Sequence, residues 1–357
     1  MAYRCSVKVS KGCNCMDRVL PEKTLLTIAI PTFNRKAYLT QLLDEIYNQR
    51  NDFNGLVEIL VSDNASTDGT ENIIREVEKR GLPLIYLRNN SNFGPDANIL
   101  QCFEKASGHY LWIIGDDDNI VHDGIKKILT YLKADEEYDL IYINSFSFGG
   151  SDTPDLRLSS RVGSARSIRN VYYFASRVNA FFTFISGNIV NRASVLKARR
   201  GGFESLLGTN LVQLGWIYTA LNDFSRGLYV DEQIVAMRIG NTGGYQLAQV
   251  FGVNLSEITD RWIHDPNLKQ IIIDRTLKKF WPHMLVEYMH SKHNFQEEGQ
   301  LREKLTRVFN RYPSYWLFVY PILVIPPGLL KLWILFPRVV NGVDKLILRA
   351  RSCGSQN

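Results

Sequence analysis

From Thr24 onward the chain alternates two hydrophobic periods. Leu25 to Ile30 is a continuous apolar run, and Tyr38, Leu39, Leu42, Leu43, Ile46 and Tyr47 then recur at helical spacing. A buried strand followed by an amphipathic helix is the prediction. The pair repeats: Val57 to Val61 and a helix to about Lys79, Leu84 to Leu87 and a helix from Pro95 to about Ala106, then Tyr110 to Ile114 and a helix from about Asp123. Leu140 to Ile143 supplies a fifth strand. Strands that are apolar on both faces and separated by helices predict an α/β fold, a mostly parallel sheet with helices on both faces.

Between Ser145 and Asn170 the pattern dissolves into Ser, Gly, Asp and Arg, long enough to suggest a functional loop. Periodicity then predicts a strand over Phe184 to Val190, a helix near Leu211 to Leu221, strands at Leu228 to Val230 and Ile234 to Arg238, and long helices over Asn267 to His290 and Glu297 to Phe309. Tyr315 to Phe336 carries one charge, Lys331, but also Pro321, Pro326 and Pro327. Its length permits a spanning helix. The prolines and the lysine favour apolar arms that dip into one leaflet, with Trp316, Tyr320 and Trp333 at the interface; a packed helical hairpin is the remaining possibility.

Charge changes the picture of that segment. From Leu301 to Asn357 nine Lys or Arg face two acidic residues, a net of +7 that leaves residues 1–300 at −1 within a chain total of +6. The basic excess therefore points to an anionic membrane surface, and the near-neutral body excludes a nucleic-acid groove. Five cysteines without a CxxC pair make a disulfide framework improbable. Cys5, Cys13 and Cys15 lack the fourth ligand of a closed zinc site, and the segment before Thr24 lacks the apolar core of a secretory signal. A reducing cytosolic compartment is expected. The organisation that follows is a flexible tail (1–23), a nucleotide-binding half (24–144), an acceptor-binding half (145–243), a helical extension (244–312) and a basic, apolar, membrane-associated segment (313–357).

The candidate chemistry lies where the strands end. Four polar clusters follow the first four strands: Pro31-Thr32-Phe33-Asn34-Arg35, Ser62 to Thr70, Asn89 to Gly94, and Gly115-Asp116-Asp117-Asp118. An open parallel sheet binds ligands outside the carboxyl ends of its strands, so the four would share one edge. Asp68 also reads as a helix N-cap. Three consecutive carboxylates repel each other, a cost a hard cation such as Mg²⁺ or Mn²⁺ offsets. The Gly94-Pro95 helix start would aim backbone N–H groups at an anion. GxxxxGK[ST], GxGxxG and HExxH motifs are absent, which excludes P-loop hydrolysis, ordinary dinucleotide redox chemistry and zinc proteolysis.

The stretches IAIPTFNR (Ile28 to Arg35), EILVSDNASTDGT (Glu58 to Thr70), NSNFGPDAN (Asn90 to Asn98) and LWIIGDDD (Leu111 to Asp118) resemble glycosyltransferase family 2, over about residues 24–144. FISGNIVNR (Phe184 to Arg192) and VAMRIGN (Val235 to Asn241) are similar in texture to its abequosyltransferase-like branch, which builds bacterial surface polysaccharide such as O-antigen. The resemblance implies a GT-A, Rossmann-like fold and a metal-dependent inverting transferase that moves one sugar from a nucleotide-sugar donor to a lipid-linked or oligosaccharide acceptor. It would work at the cytoplasmic face of the membrane, as a peripheral or monotopic protein. Carried over, Pro31, Thr32, Asn34 and Arg35 border the nucleotide; Asp63 contacts base or ribose; Asn64, Gly94, Asn98, Asp116, Asp117 and Arg238 complete the donor site. Asp116 and Asp118 have DxD spacing for Mn²⁺ or Mg²⁺. An alternative register ends the motif at Asp117 and puts Gly115 first.

The family's Glu-Asp pair for the general base is not evident near Gly208 to Gln213, which leaves Glu204, Asp152 and Asp155 as candidates. A QxxRW motif of processive synthases is also absent, so single-sugar transfer is expected. Two alternatives stand beside this one: a nucleotidyltransferase, which would carry a Gly-rich loop where this chain has Pro31 to Arg35, and a catalytically silent membrane adaptor on the same fold.

Overall fold

The computed structural model describes residues 24–134, 136–149, 154–157, 164–198, 201–240, 244–289 and 300–325. Among the described residues nine strands form one sheet: β1 (Leu26–Thr32), β2 (Val57–Asp63), β3 (Ile85–Arg88), β4 (Tyr110–Ile113), β5 (Asn119–Ile120), β6 (Leu140–Phe148), β7 (Ala165–Ile168), β8 (Asn188–Asn191) and β9 (Gly227–Arg238). Their order is β3-β2-β1-β4-β8-β6-β9-β5, with β7 on β9. The first four strands are parallel neighbours, as predicted. The fifth, β6, is not their neighbour, because β8 inserts antiparallel between β4 and β6. Of residues 184–187, expected as the start of that strand, Ile185–Gly187 instead form one short 3-10 turn leading into it. β9 runs through both expected strands, parallel to β6, with a register shift at Asn144.

Helices cover both faces. Alternate strand residues explain why: Leu26, Ile28, Ile30, Ile59, Val61, Trp112 and Ile114 belong to one core, whereas Ala29, Leu60, Leu111 and Ile113 belong to the other. On the first face pack α1 (Lys36–Asn48), through Leu39, Leu42, Leu43 and Ile46, and α2 (Thr70–Lys79), through Ile73, Ile74 and Val77. The second face takes α3 (Pro95–Lys105), while α4 (Gly124–Leu132) returns to the first. There follow α5 (Val171–Val178), α6 (Arg192–Lys197) and α7 (Leu214–Asn222), whose Leu214 to Leu221 are all buried.

The helical extension contains α8 (Leu255–Trp262), α9 (Pro266–Arg275), α10 (Trp281–Met289), α11 (Leu301–Phe309) and α12 (Tyr320–Val324). It continues the second core: Tyr315, Val319 and Ile322 are buried with Trp281, Leu305 and Phe309. Tyr315, Val319 and Ile322, inside the segment expected to associate with the membrane from residue 313, are thus buried in the body, while Trp316, Leu317 and Val324 are exposed. Among the described residues no helix is long and apolar enough to cross a membrane. Residues 1–23 and 326–357 lie outside the described residues.

Candidate active site

β1 and β4 are adjacent at the point where the order of the parallel strands reverses, and the polar loops after them meet there. Thr32 Oγ1 donates to Asp116 Oδ2 at 2.7 Å, and Arg35 Nη1 to Asp116 Oδ1 at 3.0 Å and Asp117 Oδ2 at 3.4 Å. Asp118 turns the other way. Its Oδ2 accepts from the Ser186 hydroxyl at 2.6 Å and its Oδ1 from the N–H of Arg238 at 3.0 Å, while the N–H of Gly115 donates to Ser186 Oγ at 2.9 Å. A Cβ at Gly115 would stand 3.1 Å from Asp117 Oδ1 and 3.3 Å from Asp118 Oδ2, so the turn leaves little room for a larger residue.

Burial pushes the Asp116 carboxyl up to about 6 against the pull of Arg35. It pushes Asp118 up to about 7, and the charge of Asp117 adds to the rise. Two carboxyls that resist ionisation at one turn fit a compensating cation. Among the described residues no three His, Cys, Asp or Glu form a metal cluster. The oxygen donors at this turn are of the type that could hold a hard cation through one or two carboxylates together with phosphate oxygens. Asp118 is buried and faces Ser186 and β9, whereas Asp116 and Asp117 both face Arg35, so the turn groups Asp116 with Asp117 and sets Asp118 of the expected Asp116–Asp118 pair apart.

Arg238 is buried. Its guanidinium lies between the rings of Tyr38 (4.7 Å) and Phe148 (4.4 Å) and donates to Gln41 Oε1 at 3.0 Å and to the carbonyl of Asp117 at 3.4 Å. It braces the triplet from β9.

The remaining clusters interlock. Asp63 is fully buried; its Oδ1 accepts the N–H of Ser66 at 2.8 Å and its Oδ2 the Tyr86 hydroxyl at 2.6 Å, with Arg88 Nε at 3.7 Å. The hydrogen bond to Asp63 and burial push the Tyr86 phenol far above its usual range, burial being the larger cause. Asn64 Oδ1 accepts from Asn89 Nδ2 and the N–H of Phe93, both at 3.0 Å, and its Nδ2 donates to Asn92 Oδ1 at 2.7 Å. Asn98 Nδ2 donates to the carbonyl of Ser62 at 2.9 Å, and Asn34 Oδ1 accepts the N–H of Thr67 at 2.7 Å. Gly94, with φ +89, starts α3 beside them. Pro31, Thr32, Asn34, Arg35, Asp63, Asn64, Gly94 and Asn98 thus sit on one connected edge, and the asparagines mainly shape the loops.

Of the base candidates, Glu204 is not brought to this edge. Glu204 is exposed and repelled by Glu104, at the opposite end of α3 from Gly94. Asp155 is exposed and paired with Arg157 Nε at 3.5 Å. Asp152 lies outside the described residues. Periodicity did not single out Ser186, Tyr86, Arg88 or Gln41; Ser186 lay in FISGNIVNR, but its bond to Asp118 spans 68 residues.

Residues 27–199 match the family model described as Glycosyl transferase family 2. Abequosyltransferase RfbV of Salmonella typhimurium is 44% identical over 134 residues, covering 37% of this chain and 39% of that protein. A Campylobacter jejuni GalNAc(5)-diNAcBac-PP-undecaprenol beta-1,3-glucosyltransferase is 32% identical over 120 residues, 33% of this chain and 37% of that one. The chain thus spans well under half the length of these curated relatives. Among solved structures, S. aureus TarS in complex with UDP-GlcNAc superposes with TM-score 0.57 at 16% identity, over 88% of this chain and 87% of that one. The mannosyltransferase PcManGT of Pyrobaculum calidifontis, in complex with GDP-Man and Mn²⁺, gives TM-score 0.50 at 16% identity, over 91% and 89%. At these identities the likeness is one of fold, and the fold is GT-A.

Proposed function

From the match of residues 27–199 to the model described as Glycosyl transferase family 2, we propose that this protein moves a single sugar from a nucleotide-sugar donor to a lipid-linked glycan acceptor in surface-polysaccharide synthesis. The observation that carries the proposal is the meeting of the β1 and β4 loops, where Thr32 and Arg35 hold Asp116 beside Asp117 at the carboxyl edge of the sheet. A mannosyltransferase of like fold is named with GDP-Man and Mn²⁺, and a relative is named for a diphosphate-undecaprenol acceptor.

The reaction in this reading is inverting. The acceptor oxygen bonds to the anomeric carbon as the bond to the diphosphate breaks, and the acceptor proton passes to a base on the opposite side. Asp116 and Asp117 would hold Mn²⁺ or Mg²⁺, which supplies neutralisation of the departing diphosphate. Arg35 adds positive charge at the same place, and the first turn of α3 adds backbone N–H groups. Asp63 shapes the nucleoside pocket through Ser66 and Tyr86 and leaves Arg88, half-exposed, at its rim. Asp118, with Ser186 and the backbone of Arg238, fixes the turn that aims its two neighbours.

Membrane association fits the C-terminal end. Trp316 (44%), Leu317 (52%) and Val324 (45%) are exposed just before the basic, apolar residues 326–357. A monotopic contact with the anionic cytoplasmic leaflet would place the site near a lipid-linked acceptor.

The test is release of nucleoside diphosphate from a panel of sugar nucleotides with Mn²⁺, with and without lipid-linked oligosaccharide. Acceptor-dependent release is the expected result. Release of pyrophosphate from a nucleoside triphosphate and a sugar phosphate would make the protein a nucleotidyltransferase instead, and a folded protein active in neither assay would be an adaptor.

A further inference from the structure

A buried carboxylate outside the acidic triplet joins the two halves of the molecule. Asp96 lies in the first turn of α3, two residues past Gly94, and is 3% exposed. Its Oδ2 accepts the N–H of Asn210 at 2.8 Å and its Oδ1 the N–H of Val212 at 3.3 Å. Burial raises its carboxyl above the usual range, while the amides of Gly208 and Thr209, with those two, favour the charged form.

The loop that wraps Asp96 has an uncommon backbone, with Gly208 at φ +85 and Asn210 at φ +58. Such conformations persist where surrounding bonds over-determine them. A second tie comes from Asn254, whose Nδ2 donates to the carbonyl of Thr209 at 2.9 Å. The loop then runs into Gln213, whose Nε2 donates to the carbonyl of Thr183 at 2.7 Å and whose Oε1 is buried with no partner among the described residues. Three residues beyond Thr183, Ser186 holds Asp118. One side of this path begins on the nucleotide side of the sheet, and the other returns to the triplet through the half read from the sequence as acceptor-binding.

Successive N–H groups curled round a carboxylate make an anion nest. Here the nest is filled by the chain's own side chain, so it fixes position. Both Asp96 oxygens are taken by amides, which removes it from consideration as the general base.

We propose that Asp96 is a positioning residue that registers the 207–213 loop against α3 and so sets where the acceptor hydroxyl lies relative to the donor's anomeric carbon. The proposal rests on the transferase reading above. A misplacement of about 1 Å in reacting geometry costs on the order of a hundredfold in rate, so the clasp has leverage without touching substrate.

The test uses the full chain and separates donor binding from acceptor use. Asp96→Asn keeps the side chain's size but turns a donor toward the backbone N–H groups. Asn254→Ala loosens the same loop from its other side, and decides the matter where Asp96→Asn fails to fold. Steady-state kinetics with varied acceptor, and calorimetric titration with the nucleoside diphosphate, are compared with wild type. The expected result is a fall in kcat/KM for the acceptor of about tenfold or more in Asp96→Asn, smaller in Asn254→Ala, with nucleotide Kd within about twofold in both. Acceptor kinetics that stay at wild-type values, or a parallel loss of nucleotide affinity and acceptor use, would overturn it. Wild-type protein that releases no nucleoside diphosphate from any sugar nucleotide would overturn the transferase reading first, and this assignment with it.

Discussion

Asp117 and Asp118 are adjacent in sequence, yet Asp118 faces Ser186 and the backbone of Arg238 while Asp117 faces Arg35. Substitutions should separate them. Asp118→Ala leaves a buried hydroxyl and a buried N–H without their acceptor, a loss of about 2 kcal/mol in unfolding free energy by urea titration. Asp117→Asn should keep the fold and abolish metal-dependent donor binding. The reverse pattern, with Asp117→Asn unfolding and Asp118→Ala folded and metal-blind, would restore the DxD spacing of Asp116 with Asp118. The sequence shows three carboxylates at the end of a buried strand but not this division, because the partners that decide it come from β9 and from the turn before β8. Asp96 was hidden for the same reason: the N–H groups it accepts from lie 114 and 116 residues away.

At the level of elements, the start of two helices hangs on one side chain. Asp68 was expected to cap α2; the capping residue itself is Gly69, at φ +88, and Asp68 stands one position before it. Its Oδ1 accepts from the N–H and hydroxyl of Thr70, and its Oδ2 accepts the N–H of Lys36 at 2.8 Å, so it also secures the first turn of α1. Hydrogen bonds from Thr70 and Lys36 outweigh burial and hold the Asp68 carboxyl below its usual range. A lowered carboxyl stabilises the fold above its ordinary value and loses that contribution as pH falls through the lowered one. Asp68→Ala should therefore cost about 1 kcal/mol at neutral pH. The difference from wild type should shrink below about pH 4, as followed by urea titration at several pH values.

The strand and helix series through β4 was legible because each element is apolar at its own period. The β8 insertion was not: Asn188–Asn191 is buried throughout, and such a run says nothing of the direction in which it pairs.

For the whole molecule, the C-terminal segment divides where composition could not divide it. Tyr315, Val319 and Ile322 are as apolar as the residues after Pro326, and only packing against Trp281 and Phe309 assigns them to the body. Truncation at residue 313 would cut into the core. Truncation after Ile325 should leave a folded protein that no longer floats with anionic liposomes, whereas continued flotation would place the membrane contact elsewhere.

The central claim is that the β1 and β4 edge binds a nucleoside diphosphate through a divalent cation. Its most direct test is a thermal-shift panel of the detergent-solubilised full chain and of Asp117→Asn with UDP, GDP, CDP and dTDP, each with and without Mn²⁺, since a ligand of the native state raises Tm. The account predicts that one nucleotide raises the wild-type Tm only when Mn²⁺ is present, and that Asp117→Asn loses the rise. No shift with any nucleotide, or the same shift in the variant, would contradict it.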